Sequence, residues 1–247
     1  MKAVKLFRPI SLATLIMAST STALVAEEFE KSDIEQIVHQ YIIDNPEVVA
    51  EAIYKLQNQA KEEQARQEAL SLKQMTAQLT NNPIDPVGGN PNGSVTIVEF
   101  FDYNCGYCKR ANGTLQQLIA DNPDLKVVYK EWPILSEGSA KASNIALAVN
   151  LAYPDKYQAF HRALLESRSV RTENDAWAVV ERVGLDRAKV EKELSNGDIA
   201  KHLQETKYLA QQLGITGTPA FVVGGQILKG AYPQEDIQRA IDAAKES

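Results

Sequence analysis

The chain's only two cysteines, Cys105 and Cys108, stand directly behind an apolar run, Val95-Thr96-Ile97-Val98-Glu99-Phe100-Phe101. The run reads as a buried strand, and Cys105-Gly106-Tyr107-Cys108 reads as the start of the helix that follows. A strand that delivers two thiols to a helix N-terminus constrains both fold and chemistry. The positive end of the helix favours thiolate over thiol, and the thiolate is the species that attacks a disulfide. One such pair in an otherwise cysteine-free chain implies exchange of disulfides and not stapling by one. A structural zinc site needs two further ligands at fitting spacing, and the chain offers only His39, His161 and His202, which are scattered. Haem attachment needs a histidine after the second cysteine, where Lys109 stands. The expectation is therefore no metal and no cofactor beyond a redox-active Cys105–Cys108 disulfide.

The first residues read as a secretory signal over residues 1–26. Lys2, Lys5 and Arg8 precede an apolar stretch, Ile10 to Ala18, that is too short to span a bilayer, and small residues follow. Cleavage fits after Ala23 or Ala26. Export places the protein where disulfides form and persist, so a periplasmic location is expected, with outer-membrane association left open. The formal net charge of −6 becomes −9 once the three positive charges of the signal are removed, which argues against nucleic acid as a partner.

Residues 27–80 are helical and charged. Ser32-Asp33-Ile34-Glu35 matches a capping box, with Ile34, Ile37, Val38, Tyr41 and Ile42 behind it at helical spacing. Asn45-Pro46-Glu47 reads as a second helix start. Val49, Ile53, Leu56 and Ala60 continue in a coiled-coil-like seam, which fades and then resumes weakly at Leu72, Met75 and Leu79. The segment cannot bury this stripe on itself, so self-association into a homo-oligomer is expected. The alternative is an arm folded back on its own domain. The turn-rich residues 81–93 read as a linker.

From residue 94 to 247 the pattern is strand, helix, strand, then several helices over about 138–214, then a hairpin and a last helix. Ala220 to Val223 and Gln226 to Leu228 flank Gly224-Gly225, and Pro233 opens the terminal helix. This is an α/β fold in which an antiparallel edge hairpin is added to a parallel β-α-β start. Trp132 and Trp177 read as core or cleft-wall residues, and His161 and His202 as partly buried structural ones.

Three motifs carry a resemblance: Glu99-Phe100-Phe101-Asp102-Tyr103-Asn104-Cys105-Gly106-Tyr107-Cys108, Trp132-Pro133-Ile134-Leu135, and Gly217-Thr218-Pro219-Ala220-Phe221-Val222-Val223. Together they resemble the thioredoxin fold with an inserted helical domain of the DsbA family. With its N-terminal helical arm, the chain is similar to the ScsC-type members and to related bacterial surface antigens. The resemblance implies a thiol:disulfide oxidoreductase acting on exported cysteine-containing proteins, with a membrane redox partner. It implies that Cys105 is the nucleophile, Cys108 resolves the mixed disulfide, and Glu99 lies beneath the pair and shuttles a proton. It also implies that Pro219 is cis and that the Thr218 backbone pairs with substrate. Gly106 and Tyr107 tune the potential. They depart from the Pro-His of DsbA-type oxidases and are similar to the dipeptide of disulfide isomerases. Isomerase or reductase action is therefore expected, with a dithiol oxidase or a bifunctional enzyme as the alternative. A reading of another class is a surface-exposed chaperone or binding protein.

Overall fold

The computed structural model describes residues 30–195 and 197–246, so the predicted signal lies outside the described residues. Two units are distinguished, one ending at Gln57 and one beginning at Asn58. In the first unit, α1 (Lys31–Asp44) is followed by the opening of α2 (Pro46–Thr80). α1 starts one residue before the expected cap Ser32, because the Asp33 carboxylate accepts from the Glu30 N–H at 3.3 Å and sets the cap there. Asn45 and Pro46 separate the two helices as expected, since proline lacks the N–H that a helix interior requires. No residue of α1 is buried, and Ile37, Val38, Tyr41, Val49, Ile53 and Leu56 are all exposed in the single chain.

The second unit is built around β2 (Val95–Phe101), which runs parallel to β3 (Leu125–Glu131) through α3 (Gly106–Asp121). After β3 come α4 (Glu137–Ala152), α5 (Tyr157–Leu165), α6 (Glu173–Arg182), α7 (Arg187–Leu194) and α8 (Gly197–Gln212). The chain ends with β4 (Ala220–Val223), β5 (Gln226–Lys229) and α9 (Gln234–Lys245). β4 is antiparallel to β2 and β5 antiparallel to β4, as the hairpin signal predicts. Gly224 and Gly225 turn this hairpin at φ 55° and 75°, where a side chain is disfavoured.

The stretch expected to be a linker, residues 81–93, instead contributes a short edge strand to the sheet. β1 (Val87–Gly89) pairs antiparallel with β3, giving the order β1-β3-β2-β4-β5. A Cβ on Gly89 would stand 2.3 Å from the Leu125 carbonyl oxygen, so glycine permits this close pairing. Asp85 in the same stretch is buried against Lys130 at 2.5 Å, and His202 Nε2 lies 3.0 Å from its other oxygen. Proline, asparagine and glycine mark a turn-rich sheet edge and a free linker alike, which is why the pattern misled.

Side chains alternate between the two sheet faces. Ile97, Phe101, Val127, Tyr129, Phe221 and Val223 join the core that includes Cys108, Leu115, Phe160 and Ile237. Val98, Phe100, Val128, Ala220 and Val222 pack with Trp132, Leu209, Leu213, Leu72 and Leu79. Both faces are covered, so β2 is apolar at all positions but Thr96 and Glu99. Leu72 and Leu79 correct the boundary of the arm: the last turns of α2 belong to the globular core. Two lysines fix that end. Lys130 Nζ donates to the Gln78 carbonyl at 2.9 Å and Lys126 Nζ to that of Thr80 at 3.1 Å, a favourable use of cations at a helix C-terminus. Among the described residues no helix is long and apolar enough to cross a membrane.

Candidate active site

β2 ends at Phe101, and the next four residues turn the chain into α3. Cys105 is the N-cap residue, with extended backbone at φ −73° and ψ 114°. Its sulfur accepts from the Cys108 N–H at 3.4 Å, taking the position that serine or aspartate takes at other helix starts. Its thiol also donates to the Thr218 carbonyl oxygen at 3.2 Å. The Thr218–Pro219 peptide is cis. The two cysteines are unlinked, and they differ in access: Cys105 is 6% exposed and Cys108 0%.

The turn before Cys105 is held by a fully buried carboxylate. Asp102 accepts from the N–H groups of Asn104, Ile134 and Leu135 at 2.7, 2.9 and 3.0 Å, and from Ser139 Oγ at 2.7 Å. Its backbone carbonyl accepts the Cys105 N–H at 3.0 Å. One residue thus ties the loop after β3 to the redox turn. Asn104 adds a second tie, exchanging hydrogen bonds of 2.8 Å with the Val170 backbone in both directions. Around the opening, Tyr107, Ile134 and Leu135 are exposed.

Glu99 is buried, and alternation places it on the face of Ile97 and Phe101, the face that α3 and Cys108 cover. Burial raises its pKa to about 8. It therefore stays largely protonated near neutral pH. Burial also pushes the Cys108 thiol up, and the Glu99 charge adds to the effect. The expectation that the solvent or core surroundings of Glu99 were ambiguous is resolved by the helices that cover both sheet faces.

A second buried acid lies two residues along β3 from Tyr129, the register partner of Glu99. Glu131 accepts from Ser143 Oγ at 2.8 Å, Tyr157 Oη at 2.9 Å and Tyr103 Oη at 3.1 Å. Burial nevertheless raises its pKa to about 8. His161 Nδ1 is 3.1 Å from Tyr103 Oη, its ring is packed against Phe101 and Tyr129, and burial lowers its pKa to about 3. His161 and His202 are fully buried, not partly. Sequence reasoning passed over Asp102, Asn104 and Glu131, although charged residues at the ends of apolar strands were a signal for two of them. Among the described residues, no group of three or more His, Cys, Asp or Glu side chains is arranged to hold a metal ion.

Residues 96–242 match the family described as DSBA-like thioredoxin domain, and residues 30–63 match the copper resistance protein ScsC N-terminal domain. The structure is similar to that of a thioredoxin-like oxidoreductase from Silicibacter pomeroyi, with 41% identity and a TM-score of 0.66, covering 69% of this chain and 98% of that one. It is also similar to Proteus mirabilis ScsC in a transitional conformation, with 30% identity and a TM-score of 0.67, covering 87% and 97% of the two chains. Disulfide bond formation protein D of Bacillus subtilis is 27% identical over 170 residues, 64% of this chain and 75% of that protein. The chain spans only 26% of the length of other curated relatives that it matches, Na(+)/H(+) antiporters of Salinispora tropica and Salinispora arenicola.

Proposed function

This chain belongs to the family of DSBA-like thioredoxin domains, and from that premise we propose that it is a periplasmic thiol:disulfide oxidoreductase that reshuffles disulfides in exported proteins. The observation that carries the reading is the Cys105 sulfur, capping α3 and lying against the Thr218 carbonyl, with Cys108 buried behind it. The Cys105 thiolate attacks one sulfur of a substrate disulfide. That S–S bond breaks, the other substrate sulfur leaves as thiolate, and a Cys105–substrate disulfide forms. For isomerisation, a substrate thiolate then attacks the mixed disulfide and frees Cys105 with no net electron transfer. For reduction, Cys108 loses its proton and attacks the Cys105 sulfur. The substrate thiolate departs, and two electrons pass from the cysteine pair to the substrate.

Glu99 is the group that takes the Cys108 proton, as its carboxylate form, on the covered side of the pair. An extended substrate pairs with the backbone at Thr218, beside Pro219, as an added strand would. Gly106 and Tyr107 themselves carry no charge and depart from the Pro-His of DsbA-type oxidases, which supports isomerase or reductase action over a strong dithiol oxidase. A membrane redox partner maintains the pair. The charged and apolar N-terminus of the sequence supports export.

Residues 30–57 are the self-association arm. Their match to the ScsC N-terminal domain and their exposed apolar stripe support this. The helical segment of the catalytic unit begins further along α2, so the domains run as signal, arm, and a DsbA-like unit that includes residues 81–93. The test is reactivation of a scrambled multi-disulfide protein in a mild redox buffer, comparing the mature chain with one beginning at Asn58. Reactivation that is strong in the mature chain and weak in the shortened one supports an isomerase with assembled sites. Fast oxidation of a reduced substrate without reactivation makes it an oxidase instead.

A further inference from the structure

Two cations follow the cysteine pair, and the structure gives neither a carboxylate partner within 4.0 Å among the described residues. Lys109 Nζ is held by backbone carbonyls, those of Ser167 and, at 3.2 Å, Arg168. Asp102 influences Lys109, but its oxygens are already engaged by Asn104, Ile134, Leu135 and Ser139. Arg110 is exposed. Its guanidinium lies over the Tyr107 ring, 4.3 Å from the centroid, and 3.9 Å from where a Cβ on Gly106 would stand. The charge therefore folds back over the dipeptide between the cysteines. Stacking on an aromatic face holds a guanidinium in place while leaving its N–H edge open. In the neighbouring cleft beside Asn104, the lining acid is Glu137, which is paired with Lys141 at 2.8 Å. The mouth of the site is thus cationic on a chain of net charge −6.

Resting on the redox reading above, we propose that Arg110, steadied by Tyr107, is a specificity-determining residue that selects substrate segments carrying an acidic residue next to the reacting cysteine. A carboxylate there meets the open edge of the guanidinium while its neighbouring sulfur meets Cys105. The gain is one of encounter and orientation, because a rim charge acts mainly on the association rate and is screened by salt.

The experiment uses the reduced mature protein and three peptides that differ only in the residue beside a single cysteine: glutamate, glutamine or lysine. Each cysteine is joined by a disulfide to thionitrobenzoate, whose release gives the rate at which Cys105 attacks the peptide sulfur. At low salt the glutamate peptide is expected to react faster than the lysine peptide by about two- to five-fold, the scale of an exposed ion pair. The order should compress at high salt. Arg110→Glu should invert it, Arg110→Ala should flatten it, and Arg110→Lys should retain its direction. Equal rates for the three peptides, or an unchanged order in Arg110→Glu, overturn the proposal and leave the redox reading standing. No thionitrobenzoate release from any peptide overturns both.

Discussion

Cys105 and Thr218 meet across 113 positions of sequence: the thiol of the first donates to the carbonyl oxygen of the second at 3.2 Å. The sulfur that caps a helix thereby also lies against the backbone at which an extended substrate is proposed to pair. The buried neighbour has no such access. Replacing Cys105 by serine should lower turnover of a disulfide substrate by at least ~10²-fold, since no other thiol is exposed to attack. Cys108→Ser should instead keep the first step and stall at the second. The mixed disulfide should then accumulate as a covalent adduct visible by intact-mass measurement. An unaltered biological role in the Cys105→Ser protein would favour the chaperone reading.

Glu99 gives the folded state more bound protons than the unfolded state between its ordinary pKa of 4.5 and the raised value of about 8. Stability must therefore fall as pH rises through that window. Glutamine cannot ionise and escapes the penalty, so Glu99→Gln should be more stable than wild type, with the difference growing from pH 5 to pH 8. At pH 7 the expected gain is at most roughly 3 kcal/mol, at 1.36 kcal/mol per pH unit. Urea unfolding at the two pH values measures it. The same variant should resolve mixed disulfides more slowly, on the order of 10²-fold if the carboxyl transfers the proton. Greater stability with slower resolution is the signature of a functional burial. A loss of stability at pH 8 would show that Glu99 is a structural group.

How much of this was legible beforehand depended on which forces leave a local trace. β2, α3 and the β4–β5 hairpin follow from apolar runs, a cap and a glycine pair, all local signals, and their observed bounds agree within a residue or two. Cys105 and Cys108 were legible because helix-start chemistry is local as well. The pairing of β1 with β3 was not, because Asp85 and Lys130 meet only when the sheet has formed and both are withdrawn from water. The surroundings of Glu99 were hidden for the same reason: burial is decided by what later segments lay over a strand. Asp102 serves four donors from three segments, and its own neighbourhood in sequence suggests only a turn.

The Lys130–Asp85 pair should be costly to break and cheap to replace. Both side chains are withdrawn from solvent at 0% and 2% exposure, with 2.5 Å between them. Lys130→Met leaves a buried carboxylate with only His202 beside it, and Asp85→Asn leaves a buried ammonium. Each is expected to destabilise by about 3–5 kcal/mol, the cost of an unpaired buried charge. The double substitution removes both charges and should recover most of the loss. A double-mutant cycle by urea unfolding tests this, and simple additivity of the two losses would mean that the pair is not coupled.

The arm should be separable from the redox unit by charge. Ile37, Ile53 and Leu56 are exposed in the single chain, so a carboxylate at Ile37 and Ile53 touches no core of that chain. In the proposed assembly the same positions would lie in an apolar seam, where like charges oppose each other and lose hydration. Ile37→Glu with Ile53→Glu should therefore reduce the mass in light scattering to that of a monomer, while the initial rate on a small disulfide stays near wild type. An unchanged mass would place self-association elsewhere.

His161 sets a limit in acid. Burial holds it neutral down to about pH 3, against 6.5 for a free histidine. Below 6.5 the unfolded chain binds a proton that the folded chain refuses, so stability attributable to this residue is complete above 6.5 and is lost as pH falls toward 3. Glu99 and Glu131 work in the opposite direction between 4.5 and 8, which concentrates the visible effect of the histidine below pH 4.5. His161→Gln loses ring packing against Phe101 and Tyr129, so it should be less stable at pH 7. The discriminating quantity is the slope. Between pH 4.5 and pH 3.5 the urea midpoint should fall less steeply in His161→Gln than in wild type, because the variant has no imidazole to charge on unfolding. Equal slopes would mean that His161 is already protonated in the folded protein, and that its place beside the hydroxyls of Tyr103 and Tyr157 is that of a donor.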